Sequence, residues 1–326
     1  MKRVYNFVRY HFYTLKAAEW LLSSPLILKN PFHQTLIKRG VEQTRKAPLE
    51  LMIEPTNLCN LACLMCPHKI MKRKQGIMSD KLFRKIINQA ARLDIKNIKL
   101  AGMGEPLFDQ NIAKKIAYAQ KKNLIVKMFT NGMLLTKKRI QELIGSGLDE
   151  LIVSIDGGSR KTLELIRRGA SFSQLQTNLE NFNFLRQQAA KKGKKVPKLL
   201  INVTYQEANK KENGLIQKNW GALADRIRYL PIHNWESEEI VYRPSFSCFM
   251  LFSQMVICWD GRIALCCIDY ECQYQLGNLN KTNLAKIWQG KKAQKFRQLH
   301  LTGQSGTIPI CRSCSIKPNW FFPLQF

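Results

Sequence analysis

Acidic residues are in short supply. The chain of 326 residues carries 23 Asp and Glu against 52 Lys and Arg, a formal charge of +29. Such an excess attracts any large polyanion without discrimination, so it speaks to encounter and not to chemistry. An uninterrupted apolar run is missing near the N-terminus, where Arg9, His11, Lys16 and Glu19 break each stretch before a signal-peptide core or a span of about 18 residues forms. No internal repeat and no long low-complexity tract is found. No recognisable RNA-binding module occurs, nor any basic run interleaved with aromatics, so no specific nucleic-acid partner is expected despite the charge. These absences point to a reducing, cytoplasmic location, where clustered cysteines bind metal or do catalysis rather than form disulfides. What remains is an ordinary globular mixture, 45% hydrophobic and 23% charged, long enough for about two domains.

Residues 1–48 read as a basic helical extension, with Val4, Val8, Phe12, Leu15 and Leu22 at near-helical spacing among Lys2, Arg3, Arg9 and Lys16. Two readings compete: a helix packed on its own protein, or an amphipathic anchor on an anionic membrane surface through residues 1–30. Over 49–235 short β-rich runs alternate with helical ones. Strands are expected at 49–54, 97–101, 125–130, 149–155, 198–205 and 225–230, and helices at 79–93, 109–122, 136–146 and 173–191, the first opened by a Ser79-Asp80 cap. The alternation predicts an α/β fold, a parallel sheet or incomplete barrel, with ligands at the C-terminal ends of the strands. A second, smaller domain is expected over 244–326, which holds seven of the ten cysteines.

Directly after the first strand comes Glu54-Pro-Thr-Asn-Leu-Cys59-Asn-Leu-Ala-Cys63-Leu-Met-Cys66-Pro-His68, a CxxxCxxC spacing. Three thiolates so close in sequence can converge on one soft metal centre, iron–sulfur or zinc. Zinc would want a fourth ligand, for which His68 is available, whereas three ligands to a four-iron cluster leave one iron open.

This segment resembles the signature of the radical S-adenosylmethionine (SAM) superfamily. Gly102-Met-Gly104-Glu105-Pro106 resembles the family's GGEP segment, with Met103 as a mild departure, and Thr130-Asn131-Gly132, Ser154-Ile-Asp156-Gly157 and Arg167-Arg168-Gly169 follow in family order. The resemblance implies a partial (β/α)6 barrel in which Cys59, Cys63 and Cys66 hold a [4Fe-4S] cluster with an open iron. SAM would chelate that iron and touch Gly102, Gly104, Glu105, Asn131, Ser154, Asp156 and Arg168. One electron would then split the sulfonium into methionine and a deoxyadenosyl radical.

The C-terminal domain reads Cys248, twelve residues, Gly261, four residues, Cys266, and later Cys311-Arg-Ser-Cys314. This resembles the SPASM domain in a one-cluster form, and implies a second, auxiliary [4Fe-4S] cluster on Cys248, Cys266, Cys311 and Cys314. By geometry alone a four-thiolate zinc ribbon would serve equally. Asp260-Gly261 signals a two-residue hairpin, whose alternation puts Cys267 with Ile263, Leu265, Val256 and Cys258 on one face and Cys266 with Ala264, Ile257 and Met255 on the other. Cys258 and Cys267 then read as small buried apolar residues, with Cys272 undecided. Asp269 is either a base beside the cluster or the cap of a turn.

The resemblance implies hydrogen abstraction from a small-molecule or peptide substrate, a peptide or protein side chain or a carbohydrate-type compound, leading to oxidation or cross-linking with the auxiliary cluster as electron acceptor, or else to epimerisation or skeletal change. A flavodoxin- or ferredoxin-type protein would be the reductant. A nucleic-acid-binding or RNA-modifying iron–sulfur protein is the rival reading, and a membrane-surface enzyme acting on a lipid-linked sugar a third.

Overall fold

The computed structural model describes residues 44–233, 235, 248 and 250–315. The amphipathic stretch within 1–30 lies outside them.

All six expected strands are present, each within one residue of its expected bounds. In chain order the barrel half runs β1 (Glu50–Ile53), α1 (Asp80–Arg92), β2 (Asn97–Leu100), α2 (Ile112–Gln120), β3 (Ile125–Thr130), α3 (Lys137–Gly145), β4 (Glu150–Ser154), α4 (Arg160–Ile166), α5 (Phe172–Lys191), β5 (Lys198–Tyr205), α6 (Asn213–Trp220) and β6 (Arg226–Pro231). Neighbouring strands pair parallel in sequential order. Alternation sets the two faces. On β5, Leu199, Ile201 and Val203 are fully buried in the main core, while Asn202 points the other way. The helices cover that outer face. On α1, Leu82, Phe83, Ile86, Ile87 and Ala90 form the buried stripe. Ser79 caps it, its side chain accepting from the Leu82 N–H at 3.2 Å.

The C-terminal half extends the same sheet. β7 (Gln254–Ile257) lies parallel to β1 on the side opposite β2, and β8 (Arg262–Ala264) and β9 (Gly277–Asn278) follow antiparallel, making nine strands in the order β6-β5-β4-β3-β2-β1-β7-β8-β9. Two further helices, α7 (Leu284–Trp288) and α8 (Lys291–Leu301), pack behind it.

The β7–β8 hairpin differs from the expected one. Val256 faces Ala264 and Ile257 faces Ile263, one residue out of the anticipated register. The loop is three residues long, Trp259-Asp260-Gly261, closed by the Cys258 N–H on the Arg262 carbonyl, with Gly261 at φ +86°. A type I turn followed by a left-handed glycine is the three-residue solution, and it shifts the pairing parity. β8 ends at Ala264, so strand alternation does not extend to Cys266 or Cys267. Among the described residues no helix is long and apolar enough to cross a membrane.

Candidate active site

The loop leaving β1 is pinned from several sides. Buried Asn57 donates to the Lys74 carbonyl at 3.0 Å and accepts from the Gly76 N–H at 2.9 Å. Farther along, the Ala62 and Leu64 N–H groups donate to the Arg168 and Ile166 carbonyls, both at 2.9 Å, where α4 ends. The three thiols are half-buried, and burial pushes all of them up, Cys63 to about 11. The Arg167 guanidinium works against that rise at Cys63 and Cys66. His68 is spent elsewhere, its Nε2 meeting the Asn57 carbonyl at 2.8 Å, so that nitrogen is not a fourth ligand beside the thiols.

The GMGEP turn after β2 seats against this loop. A Cβ on Gly102 would come within 2.6 Å of the Glu54 side chain, and one on Gly104 within 2.4 Å of the Thr56 carbonyl. Both positions need glycine because two loops touch there. Glu105, 2% exposed, joins the ends of β2 and β3. Its Oε1 accepts from the Leu107 N–H at 3.1 Å and the Thr130 hydroxyl at 2.8 Å, and its Oε2 from the Asn131 N–H at 2.6 Å. Burial lifts its carboxyl above the usual range even against those three donors. Asn131 in turn donates to the Asn60 side chain at 2.8 Å and reaches the Cys59 sulfur at 3.9 Å.

The arginine that meets the thiols is Arg167 and not Arg168. Arg168 is exposed, and what it gives the loop is its backbone carbonyl. Arg167 is buried, donates to the Cys63 sulfur at 3.9 Å and pairs with Asp156 at 2.7 Å. Burial alone would lower its pKa, but Asp156 and the Cys63 thiol hold it above its ordinary value. Its Nε has no hydrogen-bond partner among the described residues, which is what an absent anionic neighbour would leave behind. Ser154 sits in register with Asn202, and Asn202 with Arg228, whose Nε donates to the Asn202 side chain at 2.9 Å. A polar row thus crosses the mouth of the sheet from β4 to β6.

The second set of thiols gathers around the small cluster of Leu251, Phe252, Leu265 and Ile308, against which Cys248, Cys266 and Cys311 each pack. Burial pushes Cys248 and Cys311 up to about 12 each, and each feels Cys314 as well. Cys266 is driven well above its ordinary value by burial, then by Cys267 and Cys248. Cys267 does not join the apolar residues expected around it: it lies half-buried near Cys314, outside that cluster. Cys258 is buried among small apolar neighbours as expected, 4% exposed beside Ala264, Val256 and the free thiol of Cys272, itself at φ +56°. Asp269 fills the turn-capping role, accepting from the Gln273 N–H at 2.8 Å on one oxygen and from the Leu265 and Tyr274 N–H groups at 3.2 and 3.1 Å on the other.

A parallel half-barrel with three thiols in the loop after its first strand and four more in an appended domain is the arrangement that the resemblance implied for an iron–sulfur enzyme of the SAM-cleaving kind. The Radical SAM superfamily matches residues 53–183 and the SPASM iron–sulfur cluster-binding domain residues 248–315, and the chain belongs to this family. It is 25% identical to the S-adenosyl-L-methionine-dependent 2-deoxy-scyllo-inosamine dehydrogenase of Niallia circulans over 269 residues, 81% of this chain and 91% of that protein. In fold it is similar to BtrN in complex with AdoMet and 2-DOIA, with TM-score 0.58 and 21% identity over 83% of this chain and 94% of that one. It is also similar to Streptococcus suis SuiB bound to the precursor peptide SuiA, with TM-score 0.61 and 16% identity over 88% of this chain and 75% of that one. The protein is thus a radical SAM enzyme whose cofactors are a [4Fe-4S] cluster, SAM and an auxiliary cluster. The donor chemistry fits those groups: half-buried thiols on one short loop, and beside them a buried guanidinium with an unused N–H. Nothing in the fold or these relatives supports the nucleic-acid-binding alternative.

Proposed function

We propose that the enzyme oxidises or cross-links a peptide or carbohydrate-type substrate with loss of two hydrogens: one would leave as an atom to the deoxyadenosyl radical, the other as a proton to a base or to water, and the remaining electron would go to an auxiliary cluster held by Cys248, Cys266, Cys311 and Cys314. The observation that carries this reading is the difference between the two thiol sets. The loop after β1 offers Cys59, Cys63 and Cys66, enough for a cluster with one open iron, while Cys248, Cys266 and Cys311 pack against one small apolar cluster with Cys314 close enough to act on two of them, so that four thiols would be on hand for a second. A fully ligated cluster serves as an electron conduit and not as a substrate site. When bound, the first cluster and SAM supply one-electron cleavage of the sulfonium and the radical that follows.

The chain's own residues do the rest. Gly102 and Gly104 let the turn of Glu105 close on the cysteine loop, and Glu105 braces the strand ends around the methionine amino group. Asn131, Ser154, Asp156 and Arg168 would line the strand ends that receive the nucleotide, and Arg167, its guanidinium fixed by Asp156, stands beside the thiols. Asp269 shapes the turn that carries Cys266. Substrate lies along the inner face, near the row from Ser154 to Arg228, with partners of the BtrN or SuiB kind as models: a small cyclitol or a precursor peptide. The test is turnover with such a substrate. Wild type gives a product lighter by a pair of hydrogens, and a Cys311→Ala/Cys314→Ala protein cleaves SAM without that product. Normal product from the double variant overturns the conduit.

A further inference from the structure

Between the first cysteine loop and the second domain runs a short strap, residues 71–77, which the sequence gives no reason to single out. One of its edges is tied to the cysteine loop. Asn57 holds the Lys74 carbonyl and Gly76 N–H, the Thr56 hydroxyl donates to the Gly76 carbonyl at 2.7 Å, and Thr56 bridges Ile77. Its other edge is tied to the loop that follows Cys266. The Lys72 and Arg73 N–H groups donate to the Glu271 carboxylate at 2.6 and 3.1 Å, and Arg73 Nε donates to the Tyr270 carbonyl at 2.5 Å. Gly76 leaves room for the Trp259 ring, which a Cβ would approach to 2.4 Å, and Trp259 Nε1 donates to the Lys74 carbonyl at 3.1 Å.

At the centre stands a buried, two-pronged ion pair, Arg73 Nη1 and Nη2 on Glu54 Oε1 and Oε2 at 2.6 and 2.5 Å, with side chains 4% exposed on both sides. The same carboxylate accepts from the Met103 N–H at 3.1 Å, in the GMGEP turn, and from the Trp259 N–H at 3.3 Å, in the β7–β8 hairpin. One carboxylate and one guanidinium thus fix the end of β1, the SAM-side turn, the hairpin and the Cys266 loop to one another. A two-pronged Arg–carboxylate pair fixes orientation as well as distance, which a lysine at the same place would not.

We propose that Arg73, seated on Glu54 and latched by Glu271, is a positioning residue that sets the auxiliary-cluster loop against the SAM site, so that SAM binding at the first loop tightens residues 265–274. The proposal rests on the radical SAM reading above, and the test separates the two. Hydrogen–deuterium exchange is followed by mass spectrometry on the full-length protein, reconstituted anaerobically with iron and sulfide, with and without SAM. In wild type, SAM slows exchange in 57–77 and in 265–274. In Arg73→Lys and in Glu271→Gln, protection of 57–77 persists, while 265–274 loses its response to SAM and exchanges about tenfold faster, the loss expected for a hydrogen bond or two. A merely local structural role would raise exchange equally with and without SAM. Should Arg73→Lys fail to fold, Glu271→Gln carries the test, since Glu271 is only half-buried. Wild-type-like protection of 265–274 in the variants, or none in wild type, overturns the positioning role. Absence of SAM protection at 57–77 in wild type overturns the SAM site itself, and this proposal with it.

Discussion

Arg167 donates to the Cys63 sulfur at 3.9 Å while its guanidinium pairs with Asp156 at 2.7 Å, so a single buried side chain joins the cysteine loop to the end of β4. Asp156 is fully buried and also accepts from the Thr204 N–H at 2.6 Å, which extends the tie to β5. The positive charge opposes the burial that raises the Cys63 and Cys66 thiols, and its aspartate keeps it aimed.

Removing one partner of this pair should cost far more than removing both. Arg167→Met leaves a buried carboxylate without compensation, a loss of about 3–5 kcal/mol, whereas Asp156→Asn/Arg167→Met should be less destabilising than Arg167→Met alone. Anaerobic chemical denaturation of the two singles and the double reads the difference. Additive losses would mean that the pair does not couple.

Gly104→Ala should weaken SAM binding and destabilise the fold by about 1–3 kcal/mol, because the new methyl meets the Thr56 carbonyl at 2.4 Å and the Leu58 carbonyl at 2.6 Å. Gly214→Ala is the control. Nothing lies within 4 Å of a Cβ there and the residue sits in a helix, so it should be neutral or slightly stabilising. Equilibrium dialysis with SAM and unfolding midpoints check both.

Much of this was legible in the residues. The six strands, the Ser79 cap and the three-cysteine loop follow from periodicity, capping chemistry and spacing. The hairpin register was not, because an Asp-Gly pair signals both a two-residue turn and the end of a three-residue one, and only the Cys258–Arg262 closure tells them apart. Which of Arg167 and Arg168 faces the thiols depended on the backbone where α4 ends, Arg167 being its non-helical C-cap at φ −102° and ψ 69°, which adjacent identical residues conceal. The Glu54–Arg73 pair spans 19 residues with no motif between them, so only the fold reveals it. Cys272 was undecidable for a similar reason: its left-handed backbone turns it toward Cys258, outside any strand alternation.

Asp269 gives a pH-dependent prediction. Burial raises its carboxyl above the usual range in the folded protein despite three N–H donors. The folded state then holds its proton to higher pH than the unfolded state, so the contribution of Asp269 to stability falls as pH rises from the ordinary aspartate range through the raised folded value. Asp269→Asn does not titrate, and it sets an amide N–H against a backbone N–H. It should be less stable than wild type throughout, with the gap narrowing as pH rises across that window. Denaturation from acid to neutral pH reads this, and a gap that widens would contradict it.

The second thiol set should hold its own cluster. Reconstituted wild type should carry about eight irons per chain and Cys311→Ala/Cys314→Ala about four, with the first cluster's spectrum intact. Equal iron in both proteins would remove the auxiliary cluster from the account.

The most direct measurement is deoxyadenosine release. Wild type reconstituted under anaerobic conditions and reduced with dithionite should convert SAM to deoxyadenosine and methionine, and Cys59→Ala should not. Iron-loaded wild type that releases no deoxyadenosine, or a Cys59→Ala protein that releases as much, would contradict the assignment of the Cys59, Cys63 and Cys66 loop as the seat of the chemistry.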